Sequence, residues 1–225
     1  YEISACLVGS EMCIRDRLDG SDKMTTREKI LEVSLDMFAK QGYTAVSIRD
    51  ICKKVGIKES SVYYHFKNKQ SIFDEFINKF TETANGMIIQ LENGLTDGEG
   101  SFSDSFNSVA NVFFEKYLMD DFCNKVMRVM LIEQLGNDDV RKLYREWLLD
   151  KPLQIQSKIF RTLMNFDIIP NCDSQYLAIK YYSPIYFYAN KWLFSEELTE
   201  ENKIAFREAA YKHIQIFFTE MGENK

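Results

Sequence analysis

Only three prolines and ten glycines interrupt 225 residues, and this scarcity of helix breakers constrains the fold more than any other feature. Inside a helix a glycine costs about 1 kcal/mol and a proline about 3 kcal/mol, so a chain nearly free of both can sustain long helices. Several starts and stops are legible. Thr25-x-x-Glu28 is a capping box, in which the threonine accepts from the third helical amide while the glutamate reaches back. The helix it opens carries Ile30, Leu31, Leu35 and Phe38 at three- and four-residue steps, and Gly42 ends it, where a left-handed residue is wanted. Ser47-x-x-Asp50 is a second box, opening a short helix through Lys54. Asn68 is placed to cap a fourth helix, from about Lys69 to Leu91, with Ile72, Phe73, Phe76 and Phe80 on its inner face.

The stretch 93–100 is rich in Asn, Asp and Gly and reads as the clearest loop in the chain, marking a domain boundary. Beyond it, 103–119, 121–135 and 138–166 read as helices, the last bent or interrupted at Pro152. A helix over 173–195 contains Pro184 and is expected to be irregular there, and a final helix over 199–221 is stopped by Gly222. Strand-like alternation is scarce and no internal repeat is visible. The expected fold class is all-α.

Charge and cysteine usage narrow the function classes. A net charge of −6 argues against a protein that coats nucleic acid indiscriminately. That total conceals an asymmetry: residues 24–70 hold nine Lys and Arg against five Asp and Glu, a formal +4, which leaves −10 for the rest. A basic unit on an acidic body points one surface at phosphate. The five cysteines (Cys6, Cys13, Cys52, Cys123, Cys172) are irregularly spaced, without a C-x-x-C pair and with only two histidines in the chain. Neither a zinc site nor a disulfide framework is expected, and free thiols fit a cytoplasmic location. No run approaches the ~18 apolar residues of a membrane span. Residues 1–23 look foreign to the rest of the chain: they lack a continuous helical stripe, lack the basic n-region and apolar core of a signal peptide, and resemble a translated sequencing-adapter read-through preceding Met24.

The segment from Ser47 to Phe66 has the spacing of a helix-turn-helix. Cys52 stands where crossing helices admit only a small side chain, Gly56 supplies the turn, and Val62 anchors the second helix, with Ile51 and Val55 completing the buried face. In this geometry the second helix enters the major groove by its N-terminal part. From Gly42 to Phe73 the chain reads GYTAVSIRDICKKVGIKESSVYYHFKNKQSIF. This closely resembles the DNA-binding domain of the TetR family of repressors, carried by Gly42, Ser47, Ile48, Asp50, Ile51, Gly56, Val62, Tyr63, His65, Phe66, Lys67, Lys69 and Phe73. The resemblance implies a helix-turn-helix DNA-binding domain at 24–70 joined to a larger helical ligand-binding and dimerisation domain at 71–222.

The side chains fit that reading. Ser47 and the amides behind it present a helix N-terminus to phosphate, Tyr63 and Tyr64 offer hydroxyls to backbone oxygens, and Lys69 offers a charge. By analogy His65 also touches phosphate. Lys58, Glu59, Ser60 and Ser61 lead the second helix and are the candidates for base edges. Tyr63 and His65 have an equally simple reading as packing or capping groups of the small core. Two residues depart from the family pattern: Lys58 is a poor cap, and Glu59 is repelled by phosphate unless it accepts from a cytosine amino group.

Residues 103–195 are rich in aromatic and methionine side chains, which suits a cavity for an apolar or amphipathic effector, although plain core packing explains the same composition. Tyr117, Trp147 and Tyr182 are the candidates for its lining. The resemblance implies a homodimer through the last two helices, reading a roughly palindromic operator, and a body whose effector moves the fourth helix and separates the reading heads. Ile204, Ala209, Tyr211, Ile214, Phe217 and Phe218 make the final helix too apolar for full solvation, and small Ala209 and Ala210 would allow close approach. Two other classes remain: a DNA-binding regulator controlled by a protein partner, and an all-helical enzyme. The enzyme lacks what it needs, namely a metal-ligand spacing, a Gly-rich phosphate loop, or a nucleophile beside a base. No catalytic residue, metal or cofactor is expected.

Overall fold

The computed structural model describes residues 24–96, 109–195 and 197–223. The expected foreign leader, the last part of the 93–100 loop and the start of the 103–119 helix lie outside the described residues. Among the described residues there is no strand, and the fold is all-α.

Helix α1 (Thr26–Gln41) starts at the expected capping box: the Thr25 hydroxyl accepts from the Glu28 amide, and Glu28 accepts from the Thr25 amide at 2.7 Å. The hydrogen bonds from Thr25 hold the Glu28 carboxyl below its ordinary range. Gly42 takes a positive φ of 87°, as expected of a terminating glycine, but its ψ of 152° is extended rather than left-handed helical. Helix α2 (Ile48–Val55) opens on the second capping box and ends at Gly56, which is left-handed at φ 80°, ψ 34°. Helix α3 (Glu59–His65) follows three residues after α2. These three helices close over Ile30, Phe38, Val46, Ile51, Cys52, Val62 and Phe66, all buried.

Helix α4 (Lys69–Thr96) runs past the expected end at Leu91 and through Asn93 and Gly94, where a loop was expected. One glycine, at about 1 kcal/mol, does not stop a helix that propagation and packing already sustain. The boundary expected at 70/71 falls inside α4's first turn, so α4 is shared by both parts of the molecule.

The body continues with α5 (residues 109–113, extended by a π turn at Phe114–Leu118), α6 (Asp121–Glu133) and α7 (Asp138–Arg145). A π turn at Glu146–Asp150 separates α7 from α8 (Lys151–Asn165), so the interruption expected at Pro152 is present just before it. Helix α9 (Ser174–Ala189) carries Pro184 without interruption, and the irregularity comes later, as a π turn at Asn190–Phe194. Helix α10 (Glu200–Glu223) continues one residue beyond Gly222.

Buried Asn124 on α6 ties two of these irregular ends together, donating to the carbonyls of Leu118 at 3.0 Å and Leu193 at 3.1 Å. Carbonyls released where α-helical pairing ends need such partners when water is excluded. Cys52, Cys123 and Cys172 are free thiols, and no helix among the described residues is long and apolar enough to cross a membrane.

Candidate nucleic-acid interface

The helix-turn-helix is set by three local devices. The Gly56 amide donates to Cys52 O at 2.9 Å and the Ile57 amide to the same carbonyl at 3.1 Å, closing α2 through a conformation that only glycine adopts without strain. Cys52 is buried at the crossing with α3, as its small size required. On α3, Val62 and, at its end, Phe66 point inward, and the Arg27 guanidinium covers the Phe66 ring at 5.1 Å while pairing with Glu75 at 2.5 Å.

With Val62 and Phe66 inward, the rest of α3 faces solvent. Lys58, Glu59 and Ser60 are exposed and Ser61 is half-buried. Tyr63 is 52% and Tyr64 84% exposed, which decides against a core role for either ring. His65 is half-buried, with Tyr64 edge-on to its ring at 5.0 Å. The helix starts without a side-chain cap, as Lys58 led one to expect. A neighbour missed at the sequence level is Arg49, exposed in the first turn of α2, whose Nε lies 3.4 Å from Glu59 Oε1. Glu59 therefore has a cationic partner within the protein, an exposed pair of the kind that contributes about 1 kcal/mol at most. Ten residues separate the two in sequence, so only the α2–α3 crossing reveals the pair.

The expected capping box keeps Ser47 engaged within the chain, and Lys69 is placed differently from the expectation. The Ser47 hydroxyl and amide both engage the Asp50 carboxylate, at 2.5 and 2.9 Å, so the start of α2 already has an anion within the chain. These bonds hold the Asp50 carboxyl below its ordinary range. The Lys69 ammonium turns inward, donating to the carbonyls of Tyr43 and Val46, both at 2.8 Å, and lying 4.2 Å from the centre of the Tyr43 ring. Partial burial lowers its pKa. Lys69 thus secures the α1–α2 loop instead of presenting its charge to a duplex.

The three residues picked for an effector pocket come together, in one aromatic cluster. Phe80 lies 5.7 Å from Tyr117 and 5.6 Å from Trp147, and Phe113 lies 6.2 Å from Tyr182. The two tyrosine hydroxyls have specific employment, though. In the π turn the Lys151 amide bonds to Glu146 O, which releases Trp147 O, and Pro152 has no N–H for Leu148 O. Tyr117 donates to Trp147 O at 2.7 Å and Tyr182 to Leu148 O at 2.9 Å. Burial raises the pKa of both phenols. They are partners of an irregular backbone, a role that composition alone could not reveal. A cleft of about 540 Å³ lies elsewhere, between α1, α4 and α6, with Leu31, Phe76 and Phe122 beside Glu32, Asp36 and Lys79.

Comparison with known proteins agrees with this geometry. The profile of bacterial regulatory proteins of the tetR family matches residues 30–76. The HTH-type transcriptional repressor KstR2 of Mycolicibacterium smegmatis is 23% identical over 172 residues, covering 73% of this chain and 82% of that protein. IcaR of Staphylococcus aureus, the negative transcriptional regulator of the biofilm operon icaADBC, is 33% identical over 67 residues, covering 30% of this chain and 36% of its own. A TetR-family transcriptional regulator from Mesorhizobium loti superposes with a TM-score of 0.63 at 18% identity, covering 86% and 95% of the two chains. These relatives are regulators of transcription and not enzymes. Residues 30–76, which include the exposed second helix, match the tetR family of bacterial regulatory proteins, and the chain shares the all-helical fold of a TetR-family regulator.

Proposed function

We propose that this regulator is a repressor that binds a palindromic operator as a homodimer and releases it on binding a small apolar or amphipathic effector. The observation that carries the reading is the outward face of α3, where Lys58, Glu59, Ser60, Tyr63 and Tyr64 stand exposed on a helix anchored by Val62. Lys58, Glu59, Ser60 and Ser61 are assigned to base edges, and Tyr63, Tyr64 and His65 to the sugar-phosphate backbone. Lys69 is assigned to the loop rather than to phosphate. KstR2 and IcaR, a repressor and a negative regulator by name, support repression. The reading head corresponds to residues 24–70 and the effector and dimer body to 71–222. Tyr117, Trp147 and Tyr182 belong to the framework of an effector site rather than to its polar contacts. A protein that acts on operator DNA works in the cytoplasm.

The test is selection of duplexes from a random double-stranded library by the full chain, followed by fluorescence anisotropy at several salt concentrations. The expected result is an enriched inverted repeat whose affinity falls steeply with salt. Absence of any enriched sequence would remove the regulator reading. Thermal-shift measurements with fatty acyl compounds, lipophilic cations and aromatic acids then address the effector, expected to stabilise the protein and weaken the selected complex.

A further inference from the structure

The loop between α1 and α2 is held from two sides. Lys69 of α4 holds it by the carbonyls of Tyr43 and Val46. From the body, the last residue of α6, Glu133, is only 7% exposed and places both carboxylate oxygens on Thr44: Oε1 accepts from the Thr44 amide at 3.0 Å and Oε2 from its hydroxyl at 2.6 Å. Gly42 makes room for it, since a Cβ there would lie 2.5 Å from Glu133 Oε1 and 2.9 Å from Ile132 Cγ2. A second tie joins the same helices further back, where Lys125 of α6 pairs with Asp36 of α1 at 2.7 Å. Helix α1 packs more extensively on α6 than on α4.

We propose that Glu133 is a positioning residue for DNA recognition: α6, through this carboxylate, fixes the angle at which the helix-turn-helix is presented. A two-point bond from a buried carboxylate is directional, and sliding α6 by an ångström would leave the charge without partners at a cost that favours discrete arrangements over gradual ones. Thr44 stands three residues before the Ser47 cap of α2, so a displacement of the loop reaches α2 and α3 directly. The expectation that α4 links body and head is thereby extended to α6. This proposal rests on the DNA-binding reading above.

The test compares wild type, Glu133→Ala, Glu133→Gln and Thr44→Val as full chains, well below their unfolding temperatures. It measures affinity for a duplex selected by wild type and for a scrambled duplex of equal length. None of these changes touches a proposed DNA contact. Glu133→Ala is expected to lose about tenfold in affinity for the selected duplex, equivalent to about 1.4 kcal/mol, with scrambled-duplex affinity and far-UV circular dichroism unchanged. Amide hydrogen exchange should accelerate in residues 42–50 and not in α8. Glu133→Gln keeps an oxygen for the Thr44 amide and should restore most of the loss. Thr44→Val, which loses only the hydroxyl bond and retains the carboxylate, should fall between and serves if Glu133→Ala does not fold. If Glu133→Ala or, in its place, Thr44→Val discriminates between the duplexes as well as wild type does, the proposal is overturned. If wild type itself selects no duplex, the DNA-binding reading falls and this proposal with it.

Discussion

Two side chains illustrate how far single residues decide local structure here. Tyr182 supplies the hydrogen bond that Pro152 cannot, so the two positions are energetically linked although 30 residues apart in sequence. Tyr182→Phe leaves a buried carbonyl unpaired and should cost about 1–3 kcal/mol in chemical denaturation. In a Pro152→Ala background the restored amide can take that carbonyl, so the same change should cost less, and a double-mutant cycle measures the difference. Strict additivity would show that the hydroxyl does not serve the carbonyl. Glu59 gives the second case. Glu59→Lys removes the anion beside Arg49 and adds a cation at the leading edge of α3. Affinity for unselected duplex should rise, and the salt dependence should steepen by about one charge for each cation that gains a phosphate. Base preference at the position facing residue 59 should change as well. Unaltered preference and salt slope would place residue 59 off the interface.

At the scale of elements, the packing of α9 against α10 contains one of the two histidines. His213 Nε2 lies 3.0 Å from Tyr181 O, and because a carbonyl only accepts, Nε2 carries the proton in the neutral ring. The rings of Tyr181 and Phe217 flank it at 6.1 and 6.0 Å. Burial lowers its pKa below the ordinary 6.5, against smaller opposing effects of the Tyr181 carbonyl and Glu220. The unfolded chain therefore takes up this proton at higher pH than the folded one. The associated stability is complete above pH 6.5 and is lost as pH falls from there through the folded value. Melting temperature should drop between pH 7 and pH 5.5, and His213→Gln should flatten that part of the profile. A profile unchanged by His213→Gln would assign the drop elsewhere. The elements themselves were largely legible because their signals are local: Thr25 with Glu28, Ser47 with Asp50, and Gly56 each act within four residues of themselves. The extent of α4 and the π turns were not, because helix propagation carries α4 through Gly94, and carbonyls released near Pro152 find partners 30 or more residues away on one side or the other. Glu133 was equally hidden: a glutamate near a helix end ordinarily reads as a solvated charge, and only the fold brings Gly42 and Thr44 against it.

For the whole molecule, the division into a basic head and an acidic body was visible in charge alone, and the outward face of α3 followed from the positions of Val62 and Phe66. The surface proposed for dimerisation was less legible. Ile214 and Phe217, read from composition as part of an interface, are buried within the chain together with Phe206 and Ala210, so α10 uses that stripe for its own core. On the last two helices the large apolar residues left exposed are Tyr176, Ile179 and Phe187 of α9, at 62%, 47% and 62% along one side, and Ile204 and Ile216 of α10, at 51% and 47%. A two-fold dimer presents each such residue twice. Phe187→Asp would remove two aromatic rings from the interface and bring two carboxylates toward each other. At about 25 cal/mol per Å² of apolar surface, losing the two rings alone should weaken dimerisation by about a hundredfold. Sedimentation velocity should show a monomer at micromolar concentration, with helix content retained. Binding to an inverted-repeat operator should collapse in parallel, because two reading heads act as one ligand only while the interface holds them at the spacing of successive major grooves. A Phe187→Asp protein that remains dimeric and binds the repeat normally would move the interface to another face of the body.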